Sequence, residues 1–128
     1  MVDRCGHVDA VESGKPAVVD LRRNLKASKG GRVRIRAAPA EAVLPGEVAQ
    51  APDVVLVDPP RTGLSLPLLE GIASLHPRRI VYLSCDPATL ARDLARFADR
   101  GHRTRRVQGF DLFPQTPHVE LLASLRLA

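Results

Sequence analysis

The sequence predicts an α/β fold with a mostly parallel, doubly wound sheet and an antiparallel edge at its C-terminal end. Short stretches rich in Val, Ile and Leu alternate along the chain with amphipathic stretches of helical period. That alternation is typical of strands connected by helices, which form parallel sheets. The connection between the last two predicted strands falls within residues 109–117, and so short a connection suits an antiparallel pair.

Composition limits the kind of protein this is. With 128 residues and a net charge of +5, the chain is long enough for one domain with a real core, and its basic character favours a polyanionic partner without requiring one. Cys5 and Cys85 have no CxxC partner and no nearby pair of His residues, so neither a disulfide framework nor a zinc site is indicated. No apolar run reaches the roughly 18 residues that span a bilayer, and Met1–Cys5 is too polar for a signal peptide. We therefore expect a cytoplasmic protein without a metal or a membrane anchor.

The N-terminal part predicts a strand followed by a helix. The strand covers residues 7–12 and ends on an acid, Glu12. Pro16 can start the helix with Ser13 as its cap, and the two glycines at 30–31 would end it. The apolar face of this helix comprises Ala17, Val18, Leu21 and Leu25.

A second strand and a loop follow. Val33 and Ile35 alternate with arginines as in a half-exposed strand. Three prolines and Gly46 then make residues 37–52 a loop, with at most a short helix over Ala40–Leu44.

The strongest strand signal is the apolar run at residues 53–58, which suits the middle of a parallel sheet. It ends on Asp58 and passes into a rigid, proline-rich loop. A helix is then expected over residues 67–75 and a further strand over residues 79–84.

The C-terminal part predicts one clear amphipathic helix and two strands. The helix covers residues 87–99 and is ended by Gly101, and the strands cover residues 104–112 and 118–127. Its inward residues are Leu90, Leu94 and Phe97, and its outward residues are Arg92, Asp93, Arg96 and Arg100.

Cys85 occupies a position where α/β proteins place reactive groups. It follows the strand at residues 79–84 and precedes Pro87, which can open the next helix. The N-terminal end of that helix would favour the thiolate, which is the nucleophilic form. The alternative is a small buried residue at the end of a strand.

Three motifs lie at or near predicted strand ends: DPPRTG at 58–63, SCDPATLARDL at 84–94 and FPQTPHVE at 113–120. In order and spacing they resemble the RNA (uracil-5-)-methyltransferase family, which makes 5-methyluridine in tRNA and rRNA. The resemblance implies a Rossmann-like class I methyltransferase sheet, S-adenosylmethionine as cofactor and RNA as partner.

The resemblance also implies roles for four residues. Cys85 matches the nucleophile that adds to C6 of uracil, and Glu120 matches the base that removes the C5 proton. Asp58 matches an acid near the meeting point of cofactor and target base, and Glu12 an acid that binds the cofactor's ribose hydroxyls. Without the resemblance, Glu120 would be an exposed strand carboxylate and Asp58 the cap of a proline turn. Asp86, with the proline after it, is expected to shape the turn around the cysteine.

The chain departs from the family near its N-terminus. Val2–Gly6 resembles only the beginning of the family's Asp-x-x-Cys-Gly-x-Gly turn, so the first strand and Gly-rich loop are largely missing. We expect the RNA-binding region that usually precedes the family's catalytic domain to be absent. We therefore expect residues 1–128 to form a partial methyltransferase catalytic domain. Basic residues that could contact phosphates, or simply form solvated faces, are Arg22, Arg23, Lys26, Lys29, Arg103, Arg105 and Arg106.

Three functional hypotheses remain. The first is a uridine C5 methyltransferase acting on tRNA or rRNA as a fragment of the full enzyme. The second is a non-catalytic remnant that cannot hold S-adenosylmethionine and binds RNA or a partner weakly. The third is an N-methyltransferase of the Asp-Pro-Pro-aromatic kind, which Arg61 disfavours because it stands where the aromatic residue is expected. That third hypothesis also leaves Cys85 without a role.

Overall fold

A computed structural model describes residues 5–27, 32–44, 46, 52–112, 114–116 and 119–128. The chain divides into two compact units, Met1–Glu47 and Val48–Ala128. The described strands form one two-stranded sheet and one four-stranded sheet. This α/β arrangement agrees with the fold class expected from the alternating apolar and amphipathic stretches.

The N-terminal unit contains a parallel pair of strands with the helix that connects them. Its elements are β1 His7–Val11, α1 Lys15–Ala27, β2 Arg32–Arg36 and α2 Ala40–Val43. Parallel strands need a crossover connection, and α1 provides it. Val18 and Val43 are buried in this unit, so one residue of each helix supports its apolar interior.

A helix capped by Ser13 would begin at Gly14, but α1 begins one residue later, at Lys15. Because Lys15 is its first residue, Gly14 and not Ser13 occupies the N-cap position. The Gly14 carbonyl accepts the Val18 N–H at 2.9 Å, which closes the first turn. Ala17, expected on the apolar face, is exposed. The predicted stop at residues 30–31 lies outside the described residues.

The C-terminal unit contains a four-stranded mixed sheet with two helices. Its elements are β3 Val54–Val57, α3 Leu66–Ser74, β4 Arg79–Ser84, α4 Pro87–Ala98, β5 His102–Phe110 and β6 Glu120–Leu127. The strand order is β3-β4-β6-β5. Strands β3 and β4 are parallel, and β6 lies antiparallel between β4 and β5. The predicted antiparallel edge is therefore confirmed, with the last strand inserted inside it.

Strand β3 was expected in the middle of a parallel sheet, and that prediction is wrong for this sheet. It lies at one end of the four-strand order. Val54 and Leu56 are 48% and 52% exposed, whereas the alternate residues Val55 and Val57 are half-buried. An apolar run reports the composition of a strand, but it does not determine how many neighbours pair with it.

The core of the C-terminal unit lies on one face of its sheet. Along β4 the residues alternate in burial, and Ile80, Tyr82 and Ser84 form its buried set. Both helices of the unit also contribute buried residues, and β6 contributes Ala123 and Leu125. The largest apolar side chains of this core are Leu69, Ile72, Ile80, Leu125 and Phe97.

Helix α4 buries one residue that was expected to face outward. Asp93 has no exposed surface. It lies three residues after Leu90 and four before Phe97, so the helical period places it on their face. The prediction of an outward carboxylate was wrong because it followed residue type instead of this spacing.

Some general features bear on the kind of site the chain can hold. No helix within the described ranges is long and apolar enough to cross a membrane. Nor does the described part of the chain bring three or more His, Cys, Asp or Glu side chains together as a metal ion would require. Both cysteines are free thiols, with Cys5 exposed and Cys85 partly buried. Cys85 is therefore neither disulfide-bonded nor fully buried.

Candidate functional site

Three of the four predicted site residues lie at one end of the four-stranded sheet. Asp58 and Cys85 each follow the last residue of a strand, and these strands, β3 and β4, are parallel. Both residues therefore lie at the carboxyl edge, where α/β proteins bind ligands. Glu120 begins β6, whose next residue, Leu121, lies opposite Ser84. Because β6 runs antiparallel to β4, its first residue, Glu120, lies at the same edge of the sheet as Cys85.

The turn that carries Cys85 is held on both sides by hydrogen bonds. The Asp86 N–H donates to Ser84 Oγ at 3.1 Å, and that hydroxyl donates to the Asp86 carbonyl at 3.0 Å. Asp86 is the N-cap of α4, and its Oδ1 accepts the Thr89 N–H at 2.8 Å. Pro87 stands in the first turn, where its missing N–H is not needed. Asp86 and Pro87 thus shape the turn, as expected.

The N-cap geometry also changes the acidity of Asp86. The Thr89 N–H, followed by the Thr89 hydroxyl, lowers the pKa of the Asp86 carboxyl because both stabilise the charged form. The Thr89 hydroxyl is within 3.1 Å of Asp86 Oδ1. A charged Asp86 therefore stands next to Cys85 at neutral pH as a hydrogen-bonded cap.

The loop that carries Asp58 is bonded to helix α4. Thr89 Oγ1 donates to the Arg61 carbonyl at 3.0 Å, and Arg92 donates to the Thr62 carbonyl at 2.8 Å. Asp58 itself is exposed. Helix α4, which begins just after Cys85, therefore also holds the loop that follows β3.

Two buried residues, Asp93 and Tyr82, support the end of the loop that carries Asp58, and the sequence interpretation did not identify this role. Asp93 Oδ2 accepts the Leu64 N–H at 2.8 Å and the Tyr82 hydroxyl at 2.7 Å. The helical spacing with Leu90 and Phe97 was the available signal for Asp93. For Tyr82 the signal was the alternation along β4, which puts every second residue on the buried face.

Glu12 belongs to the N-terminal unit, whereas the other three predicted residues belong to the C-terminal unit. It follows β1, and its N–H donates to the Arg36 carbonyl at 3.0 Å. Its Oε1 accepts the Gly14 N–H at 2.6 Å. The carboxylate is thus half-buried and oriented at the carboxyl end of the two-stranded sheet.

The hairpin before Glu120 is described in part. Glu120 is half-buried and pairs with Phe110 of β5. Phe113, Pro117 and His118 of the predicted motif lie outside the described residues.

The predicted basic candidates are exposed wherever their side chains are described. Arg23 pairs with Asp20 at 3.4 Å, and both side chains are largely exposed. Lys29 and the side chain of Lys26 lie outside the described residues. The remaining exposed candidates are Arg22, Arg103, Arg105 and Arg106.

Comparison with known proteins identifies the family. A family model described as tRNA (Uracil-5-)-methyltransferase matches residues 49–126. An uncharacterized RNA methyltransferase of Streptomyces avermitilis is 47% identical over all of this chain and 30% of its own length. One from Lactococcus lactis is 42% identical over 97% of this chain and 27% of its own length. The chain thus spans about 30% of these relatives.

A solved structure agrees with the sequence relatives. It is the Pyrococcus abyssi tRNA (uracil-54, C5)-methyltransferase in complex with S-adenosyl-L-homocysteine. The two share 34% identity and a TM-score of 0.79, over 97% of this chain and 30% of that one. The fold is that of a class I S-adenosylmethionine-dependent methyltransferase. The similar sequences, the fold and the family model that matches residues 49–126 all agree. The chain therefore belongs to the tRNA (uracil-5-)-methyltransferase family.

Proposed function

We propose that the chain is the C-terminal catalytic part of an enzyme that methylates C5 of a uridine in tRNA or rRNA, with S-adenosylmethionine as methyl donor. The observation that carries this proposal is the common position of Asp58, Cys85 and Glu120 at one edge of the sheet. Family membership and the likeness to the Pyrococcus abyssi tRNA (uracil-54, C5)-methyltransferase support the choice of uridine C5.

Cys85 supplies the nucleophile. Uracil C5 reacts poorly with electrophiles, so the enzyme first makes it electron-rich. The Cys85 thiolate adds to C6, and the electron pair of the C5–C6 double bond moves to C5 and the adjacent carbonyl. Cys85 is only partly buried, which suits a uracil ring that enters the site from solvent.

Glu120 supplies the base. After C5 has received the methyl group, C5 still holds its proton and the Cys85 sulfur is still bonded to C6. Glu120 accepts the C5 proton, the C5–C6 double bond re-forms, and the Cys85 thiolate leaves. This sequence needs a carboxylate close to the nucleophile, which the register of β6 against β4 supports.

The residues fit S-adenosylmethionine at its ribose end. Glu12 has one oxygen oriented by the Gly14 N–H, and a carboxylate can accept hydrogen bonds from both hydroxyls of a diol. The exposed Asp58 carboxylate would lie close to where cofactor and base meet. When bound, the cofactor supplies an electrophilic methyl group.

RNA as the partner agrees with the charge of the chain. The net charge of +5 favours association with phosphates, and such association weakens with added salt. Exposed arginines on both units offer candidate phosphate contacts.

Covalent trapping tests the nucleophile. In RNA containing 5-fluorouridine, the fluorine at C5 cannot be removed as a proton, so the adduct should persist when S-adenosylmethionine is present. We expect a gel-stable protein–RNA adduct that is lost in Cys85→Ala and kept in Cys5→Ala, since Cys5 is the other free thiol. An adduct that survives in Cys85→Ala, or none in a chain that binds cofactor by calorimetry, contradicts the proposal. Absence of cofactor binding would favour the non-catalytic remnant.

Product release tests the base. With ordinary uridine RNA, Glu120→Gln should slow release of methylated RNA by about 10²-fold or more while adduct formation changes little, because the base acts only after methyl transfer. Asp111→Asn is a matched control on an exposed carboxylate of the same hairpin. Equal slowing of both steps in Glu120→Gln would refute the assigned role.

A further inference from the structure

We infer that Asp93 is a positioning residue. It holds the loop that carries Asp58 against α4, the helix that begins just after Cys85. The inference rests on the function proposed above for those two residues. It concerns a buried acid that takes no direct part in that chemistry and touches no predicted reacting group.

The contacts of Asp93 join three separate parts of the C-terminal unit. Its Oδ2 accepts the Leu64 N–H at 2.8 Å, at the end of the Asp58 loop. The same oxygen accepts the Tyr82 hydroxyl at 2.7 Å, from strand β4. Its other oxygen, Oδ1, lies 2.9 Å from Arg92 and 3.4 Å from Arg96 on its own helix. One carboxylate thus connects loop, strand and helix.

The burial of Asp93 makes these contacts obligatory. Its side chain has no exposed surface, and a buried carboxylate is costly unless it is hydrogen-bonded and paired. Packing alone would be served by an apolar residue, as at Leu90 and Phe97 on the same face. A fully bonded buried network instead specifies one arrangement of the groups around it.

The loop is shaped to accept this carboxylate. Gly63 adopts a φ of +75°, which favours glycine, and its N–H donates to the Pro60 carbonyl at 2.8 Å. A Cβ at this position would stand 2.5 Å from Asp93 Oδ2 and 2.6 Å from an Arg92 nitrogen. The backbone can approach Asp93 this closely only because residue 63 has no side chain.

The position of α4 explains why this matters for the site. Thr89 bonds both the Asp86 carboxylate, next to Cys85, and the Arg61 carbonyl in the Asp58 loop. Arg92 and Asp93 bond the loop one turn further along the helix. The turn that carries Cys85 and the loop that carries Asp58 are therefore both hydrogen-bonded to helix α4. A displacement of about 1 Å at a reacting group can cost about 10²-fold in rate.

Asp93→Asn tests the inference because it keeps the shape but not the bonding. Donors surround both oxygens, so the new NH2 group must face either Leu64 and Tyr82 or the two arginines. Phe97→Leu is the matched control, since it alters another fully buried residue of the same helix, whose ring packs against His102. Both variants are compared with the unaltered 128-residue chain below their melting temperatures.

The first measurement is amide hydrogen exchange. In Asp93→Asn we expect the Leu64 amide to exchange at least about tenfold faster relative to the Ile80 amide of β4, because its acceptor is altered. In Phe97→Leu that ratio should stay unchanged. An unchanged ratio in Asp93→Asn overturns the inference, whether or not the chain forms an adduct.

The second measurement separates position from binding. We expect Asp93→Asn to form the 5-fluorouridine adduct about 10- to 100-fold more slowly with an RNA Kd within about twofold, and Phe97→Leu to keep both values. Equal rates in Asp93→Asn and the unaltered chain overturn the inference. No adduct in an unaltered chain that binds cofactor instead contradicts the proposed function, and the exchange ratio then still decides whether Asp93 holds the loop.

Discussion

Tyr82 is the only tyrosine of the chain, and its buried hydroxyl donates to Asp93 at 2.7 Å. Burial, and then the neighbouring Asp93 carboxylate, raise the pKa of this phenol far above its usual value of 10.0. Both effects disfavour the phenolate, which would be desolvated and placed against a negative charge. The residue therefore reports on the buried network without contributions from other tyrosines.

This shift predicts a loss of stability at alkaline pH. Because the folded pKa is raised, the contribution of Tyr82 is complete below pH 10 and is lost as the pH rises above it, where the unfolded phenol ionises. The free energy of unfolding of the unaltered chain should fall relative to Tyr82→Phe by up to about 1.4 kcal/mol per pH unit above pH 10. Urea unfolding of both chains between about pH 8.5 and pH 11.5 measures this.

The same residue offers a spectroscopic check. Absorbance at 295 nm should show no phenolate in the folded chain at pH 11, while the chain in 8 M urea ionises near pH 10. Phenolate absorbance near pH 10 in a chain that is still folded by circular dichroism would contradict the buried hydrogen bond.

At the scale of elements, α4 organises the candidate site. It is capped by Asp86, opened by Pro87 and amphipathic through Leu90 and Phe97. Its first two turns bond the loop after β3, and its N-cap lies next to Cys85. Loss of the cap should therefore loosen the start of the helix and the cysteine turn together.

The cap should contribute to stability only while it is charged. Asp86→Ala removes the acceptor of the Thr89 N–H, so we expect a lower Tm at pH 7. The pKa of Asp86 is lowered, so its contribution is present above the unfolded pKa, about 3.9, and is lost as the pH falls through the folded value. Thermal melts at pH 7, 5, 4 and 3 should show the gap between the two chains narrowing only below about pH 4.

A second acid on the same helix serves as the control. Asp99 stands at the C-cap, where the helix end carries partial negative charge. Asp99→Ala should not lower the Tm at pH 7. A larger loss there than in Asp86→Ala would show that the capping geometry is misassigned.

At the scale of the whole molecule, the chain forms two units, and the C-terminal one has its core on one face of a four-stranded sheet. Leu125 of β6 has no exposed surface, whereas Leu127, on the same face of the strand, is 37% exposed. Stability should therefore depend much more on the first leucine than on the second.

This difference can be measured directly. Leu125→Ala should lower the free energy of unfolding by about 2–5 kcal/mol because it leaves a cavity in a packed core. Leu127→Ala should lose clearly less, since its side chain is already partly in water. Urea unfolding of both variants gives the comparison, and equal losses would show that the core is misplaced.

Local patterns were sufficient for most of the element order. The period of apolar residues located the strands before Asp58 and Cys85, and helix signals located α4 and the proline that opens it. Such patterns depend on neighbours within a few residues, so they can be read without the fold. The three motifs likewise identified the family through residues close together in sequence.

Tertiary structure alone decided which of these residues meet. The pairing of β6 with β4 brings Glu120, at the start of β6, to the same edge of the sheet as Cys85, although 35 positions separate them in the sequence. The end position of β3 and the burial of Asp93 against Leu64 and Tyr82 also depend on contacts between distant segments. A residue's own type and period determine its local conformation. Its partners follow from which surfaces pack together, because burial and hydrogen bonding are satisfied over the whole unit.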